Sequence, residues 1–268
     1  MKKHPLILSL AVLILFGCKK NETNLIETNL DSSTNQTFSS SDYYKNPNNE
    51  FDYVGQYQNE GIDFLKTFIN ETDTFAFDFL IDTSSYFEAQ ITGEDYNEIE
   101  SEAESALNQL TTTVGAQNQT FKSGLYAMID SWSTSNQCKL YGYSLLNTVF
   151  NNSYNNFDSI IYPVIQIEGG ILSDSLLIDD EKEQLLKISS LMRHSAYYWK
   201  QNPASSIEGN VAIPPKWKKF WDKVTDWFDD HEKEVEVVAC DVTILLFTWQ
   251  VGGWLPAGVA SYQAILIL

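Results

Sequence analysis

Apolar residues recur at helical spacing through residues 51–201, and no run there alternates strands with helices as a parallel sheet requires. Ile62, Leu65, Phe68 and Ile69 share one helical face. Ile99, Ala103, Ala106, Leu107 and Leu110 form a second stripe, and Phe121, Leu125, Met128, Ile129 and Trp132 a third. Leu140, Tyr143, Leu146, Val149 and Phe150 form a fourth. The clearest helix opens at Asp180-Glu181-Lys182-Glu183, runs along Leu185, Ile188, Met192, Ser195 and Trp199, and stops at Gln201-Asn202-Pro203. Thr92 with Asp95 three residues later reads as a variant capping box opening the second stripe. Ile160 to Ile167 is rich in β-branched residues and reads as a short strand, which Pro163 restricts to an edge or a turn. The fold class expected is mainly α: a helical bundle-like body after a disordered tether, with an apolar C-terminal helical segment or hairpin.

The first 18 residues carry an address. Lys2 and Lys3 precede an uncharged, mostly apolar stretch from Pro5 to Gly17, too short to span a bilayer as a helix. Leu15-Phe16-Gly17-Cys18 then resembles a bacterial lipobox, in which the cysteine is lipidated after signal cleavage. Cys18 is therefore the expected acylation site and the first residue of the mature chain. Three acyl chains on such a cysteine suffice for stable anchoring, whereas one is marginal. Lys19 and Lys20 follow rather than the aspartate of inner-membrane retention, which favours the outer membrane of the cell envelope and leaves periplasmic and surface faces both open. With Cys18 acylated, Cys138 and Cys240 remain as a candidate disulfide or two buried thiols, in a compartment that permits either.

Residues 21–50 hold 16 Asn, Ser or Thr, the composition of a solvated tether. The net charge of −19 excludes a nucleic-acid binder, since phosphate backbones are met by basic surfaces.

From Pro214 to Val238 the chain changes character. Trp217, Phe220, Trp221, Val224, Trp227 and Phe228 fall at helical spacing, with Lys216, Lys218, Lys219 and Lys223 among them. This is either an interfacial helix, with Trp at headgroup depth and Lys on phosphate, or an amphipathic helix docked on the body. Residues 242–268 then carry no charged side chain over 27 positions, long enough to cross a bilayer, but Gly252, Gly253, Pro256 and Gly258 interrupt them. A membrane-inserted hairpin, a hairpin buried in the body and a distorted end remain open. Trp217, Lys218, Lys219, Trp221, Trp227, Trp249 and Trp254 are the membrane-interface candidates.

Catalytic motifs are scarce. His4 is lost with the signal, leaving His194 and His231, so a three-histidine metal site is excluded within one mature chain. No H-E-x-x-H, G-x-S-x-G, Walker A loop, G-x-G-x-x-G or S-x-x-K occurs. No metal ligand, cofactor or catalytic residue is assigned. His194 reads as a capping or core residue, and Arg193, the only arginine, as half of a structural ion pair.

Asn46-Pro47 followed by Asp52-Tyr53-Val54-Gly55-Gln56-Tyr57-Gln58-Asn59-Glu60-Gly61-Ile62-Asp63-Phe64 resembles the opening of an uncharacterised Bacteroidetes lipoprotein-like family, with a G-x-x-H-N-E-type segment after the signal. Ser190–Trp199 is similar to that family's aromatic segment, and the tail to its Gly/Ala-rich C-terminus. Gln58 stands at the family's His position, and the tail here is bulkier. The resemblance spans roughly residues 46–268 and implies no activity. Asp158-Ser159-Ile160 and Asp174-Ser175-Leu176 resemble O-glycosylation triplets of that phylum.

The organisation expected is a signal peptide at 1–17, lipidated Cys and tether at 18–50, helical domain at 51–205, Trp/Lys helix at 206–240 and apolar tail at 241–268. The function expected is an envelope-anchored lipoprotein of binding or structural role, with the membrane as partner through its lipid and a protein or glycan as ligand. Two alternatives remain: a membrane-active, bacteriocin-like or pore-associated protein working through the tail, and a carboxylate-dependent hydrolase.

Overall fold

Between Asp52 and Gln201 the apolar periods wind into helices, and several of these pack against one long member at the end of the run. The computed structural model describes residues 42–69, 75–114, 120–150, 157–202, 211–212 and 222. Within these lie α1 (Asp52–Ile69), α2 (Phe77–Thr92), α3 (Tyr96–Val114), α4 (Phe121–Ser131), α5 (Asn136–Phe150), α6 (Asp158–Ser173) and α7 (Asp179–Gln201). A two-residue parallel pair joins β1 (Phe75–Ala76) to β2 (Val211–Ala212). The body is mainly α and bundle-like.

The centre is α7. Residues Ser189 through Ala196 are all buried, so this helix is enclosed on every side over two turns. Trp199, fully buried, is the largest side chain in the core. Its neighbours lie in defined directions. Asp52 and Gly55 meet Ser190, while Asp63 and Lys66 meet Tyr198, so α1 runs parallel to α7. Asp158 meets Lys200 and Glu168 meets Arg193, so α6 runs antiparallel to it.

Caps explain the helix starts. Asp95 Oδ1 accepts from the backbone N–H of Asn97 at 2.9 Å and of Glu98 at 3.3 Å. Thr92 is therefore not the cap of α3. Its hydroxyl instead donates to Glu88 O within α2, and Gly93 ends α2 at φ +74°, a conformation that costs glycine nothing. Ser135 caps α5 through Cys138 N, and Glu181 of α7 accepts from Ser135 N at 2.6 Å and Oγ at 2.9 Å. One carboxylate thus ties two helix starts together.

Two expectations are corrected. Ile160–Ile167 is no strand: it lies inside α6, with Pro163 in the helix. Interior proline costs about 3 kcal/mol, but Ile160, Ile161, Val164 and Ile171 are buried to 1% exposure or less. At about 1.5–3 kcal/mol each, their burial outweighs the lost hydrogen bond. Their 3.6-residue spacing fits a helix face, and Pro163 lies exposed on the other side. In α5 the buried face is Cys138, Gly142, Leu145, Leu146, Thr148 and Val149, and Leu140 is 42% exposed. The stripe is rotated because Gly142 admits the Trp132 ring of the preceding turn.

Among the described residues no helix is long and apolar enough to cross a membrane. The signal, Cys18, Trp217, Lys218, Lys219, Trp221, Trp227, Cys240, Trp249 and Trp254 lie outside them.

Candidate functional site

Residues 42–50, assigned by composition to the tether, run along the body as a strap of turns, with Asn46 and Asn49 almost fully buried. What holds the strap is charge. Arg193, fully buried on α7, places Nη2 2.5 Å from Asp52 Oδ1 and 2.9 Å from Glu168 Oε1. Its Nη1 donates to the carbonyl of Tyr44. Glu168, also fully buried, accepts from Asn49 Nδ2 at 2.6 Å on Oε1 and from Asn46 Nδ2 at 2.7 Å on Oε2. Asn49 Nδ2 reaches Leu186 O as well. Burial of a guanidinium is offset where its donors find acceptors: three separate elements supply them to the two terminal nitrogens, while Nε is buried without one.

His194 adjoins this centre. Its Nε2 lies 3.3 Å from Asp52 Oδ2, without the alignment of a hydrogen bond. Tyr44 meets the imidazole edge-on at 4.9 Å and stacks on Tyr197 at 3.8 Å. Burial pulls the His194 pKa below its ordinary value; the Asp52 carboxylate opposes this, while Arg193 and Lys45 reinforce it. Burial pushes Asp52 upward, but His194 and Arg193 outweigh it and the carboxyl ends below its usual range. Burial raises Glu168, against the downward pull of Arg193, Asn46 and Asn49.

These directions give a testable pH dependence. The unfolded chain protonates His194 near its ordinary 6.5 while the folded chain resists. Stability carried by neutral His194 is therefore complete above 6.5 and lost as the pH falls through the folded value. The raised Glu168 works in the opposite sense, so the wild-type slope is a difference of two effects. Unfolding free energy should fall less steeply in His194→Gln than in wild type between about pH 7 and about pH 5. Parallel slopes in urea titrations would refute the assignment.

Serine, histidine and aspartate meet here, yet not as a catalytic relay. Ser190 Oγ donates to Asp52 O at 2.9 Å and accepts from Gly55 N at 3.1 Å, which commits the hydroxyl to backbone. Ser190 and His194 are both buried. The chemistry this geometry favours is attachment: charge-assisted bonds that lock a polar strap to an apolar bundle.

Arg193 is thus an ion-pair residue and His194 a core residue, as their sequence setting suggested. Gln58 is fully buried and neither amide atom has a partner. Cys138 is buried at the start of α5, where burial pushes its thiol up to about 12. Ser175 lies exposed in the turn between α6 and α7, while Ser159 is half-buried in the first turn of α6. Sequence reasoning missed Asn46, Asn49, Asp52 and Glu168. One signal was there: Glu168 is the only charge between Ser159 and Ser173, within an apolar helix, and Arg193 is the chain's only arginine. Among the described residues, no group of three or more His, Cys, Asp or Glu is placed to hold a metal ion. No protein-family model, curated protein or solved structure matches this chain.

Proposed function

We propose that this is a lipid-anchored helical lipoprotein of the bacterial cell envelope, whose body serves as a binding or structural module. The observation carrying the reading is one continuous order along the chain: a basic n-region, an apolar h-region, Cys18 in a lipobox, then the Asn/Ser/Thr-rich segment. That segment ends on the strap that Arg193 and Glu168 hold to the bundle. Such a joint suits a tethered protein, since load or thermal motion in the tether reaches the body through buried charge-assisted bonds. The resemblance to the Bacteroidetes lipoprotein-like family points the same way, and a protein or glycan is the expected ligand.

The test is membrane fractionation with an alkaline wash, comparing wild type with Cys18→Ala, alongside metabolic labelling with an alkyne-tagged fatty acid. Wild type should take up label and stay in the membrane. Cys18→Ala should lose the label and become soluble. Label on the mutant would refute lipidation at Cys18. A mutant that stays in the washed membrane with its signal cleaved would shift the anchor to residues 242–268. The uncharged tail beside the Lys/Trp segment favours that second reading, a membrane-active protein, and deleting 240–268 should then abolish membrane retention.

A further inference from the structure

Tyrosine rings gather where the start of α6 meets the end of α7. Tyr162 is 53% exposed. Its ring lies 5.9 Å from that of Tyr43 at a 35° tilt, and Tyr43 meets Tyr197 edge-on at 5.8 Å. The polar rim is tied together. Tyr43 Oη donates to Asp158 Oδ1 at 2.5 Å, and Lys200 Nζ lies 2.9 and 3.2 Å from the two carboxylate oxygens and 3.0 Å from Tyr43 Oη. The Lys200 and Asp158 side chains are 37% and 35% exposed, so this rim opens to solvent. Lys200 also sits 5.2 Å over the Tyr43 ring, which leaves Tyr162 as the open aromatic face.

We propose that this patch binds a neutral saccharide, with a pyranose ring laid on Tyr162 and its hydroxyls turned toward Asp158 and Lys200. A sugar ring has an apolar C–H face that covers an aromatic ring and an edge of hydroxyls that both donate and accept. The patch offers both features side by side on the surface. Charge decides between candidates. Asp158 and Lys200 neutralise each other, so nothing here selects an ion. The chain's net charge of −19 repels anionic polymers and anionic lipid headgroups. A purely apolar partner would bury the carboxylate and ammonium without giving them new hydrogen bonds. An uncharged, polyhydroxylated ring meets every condition. The inference does not depend on lipidation at Cys18.

The full chain should be titrated by calorimetry with cellohexaose, maltohexaose and chitohexaose in turn. At least one should bind. Tyr162→Ala should weaken that binding by about tenfold or more, while Tyr162→Phe keeps the stacking face and stays within about threefold of wild type. Asp158→Asn should weaken it as well. Tyr86→Ala, an equally exposed tyrosine on α2, should bind like wild type. Tyr162 is exposed, so its variants should unfold at the wild-type temperature, which separates lost binding from lost fold. Failure of all three oligosaccharides at millimolar concentration overturns the proposal, and so does a Tyr162→Ala titration that matches wild type. If sedimentation shows self-association that Tyr162→Ala abolishes, the patch is covered by a second copy and the proposal is likewise wrong.

Discussion

Arg193→Met should lower the unfolding free energy by about 3–5 kcal/mol, the cost of removing one partner from a buried ion pair. The arginine holds the Tyr44 carbonyl, Asp52 and Glu168 at once, on the strap, α1 and α6 respectively. Without it, Glu168 keeps its two asparagine donors but sits fully buried with no cation. The loss therefore comes from the stranded carboxylate more than from the missing contact. Arg193→Lys should recover little, because an ammonium cannot reproduce a planar fork bonded to three elements. Combining Arg193→Met with Glu168→Gln should recover part of it, since the amide oxygen still offers the asparagines an acceptor while the stranded charge is gone. Chemical denaturation of the single and double variants measures this. A double variant no more stable than Arg193→Met alone would contradict the account.

Gly55→Ala should destabilise the protein by about 1–3 kcal/mol through overpacking. In an ordinary helix interior the same change stabilises by about 0.5–1 kcal/mol, so the sign itself is the test. A Cβ on Gly55 would sit 2.6 Å from His194 Cγ and 2.7 Å from both its Cβ and Cδ2. These atoms belong to the root of a buried ring, which cannot swing aside as a flexible chain end can. The helices must part instead, stretching the Gly55 N bond to Ser190 Oγ and loosening Asp52 from Arg193. Thermal unfolding should show the loss, and Gly55→Ala in a His194→Ala background should cost clearly less than in wild type. Equal costs in both backgrounds would place the strain elsewhere.

The second effect rests on a residue that the sequence does not mark, whereas Arg193 stood out as the only arginine. Gly55 lies within a helical period that glycine weakens rather than requires, and its close approach to His194 joins positions far apart in the chain. Gln58 shows the same limit: only the packed bundle shows the amide buried without a partner. The proposed saccharide patch combines Tyr43, Asp158, Tyr162, Tyr197 and Lys200 from three stretches of chain, and no spacing within any of them announces it.

Helix formation was legible from sequence wherever the determinants are local. The start of α7 at an acidic turn and its end near Pro203 follow from the helix dipole and from the loss of a donor at proline. The stripes of α4 and α7 follow from the 3.6-residue period, as do Ile62 and Leu65 of α1 and Ile99 and Ala103 of α3; the side chains of Phe68, Ile69, Ala106, Leu107 and Leu110 lie outside those described. Tertiary structure decided what depends on distant partners. Ile160–Ile167 is helical because four apolar residues bury on one face, a gain that local propensity does not contain. The strap is docked because Arg193 and Glu168, 149 and 122 positions away from Tyr44 and Asn46, offer bonds that replace water for otherwise soluble asparagines and carbonyls. Polar composition measures only how well a segment is solvated when alone. A buried charge needing donors and acceptors changes that balance, and it exists only once the helices have packed.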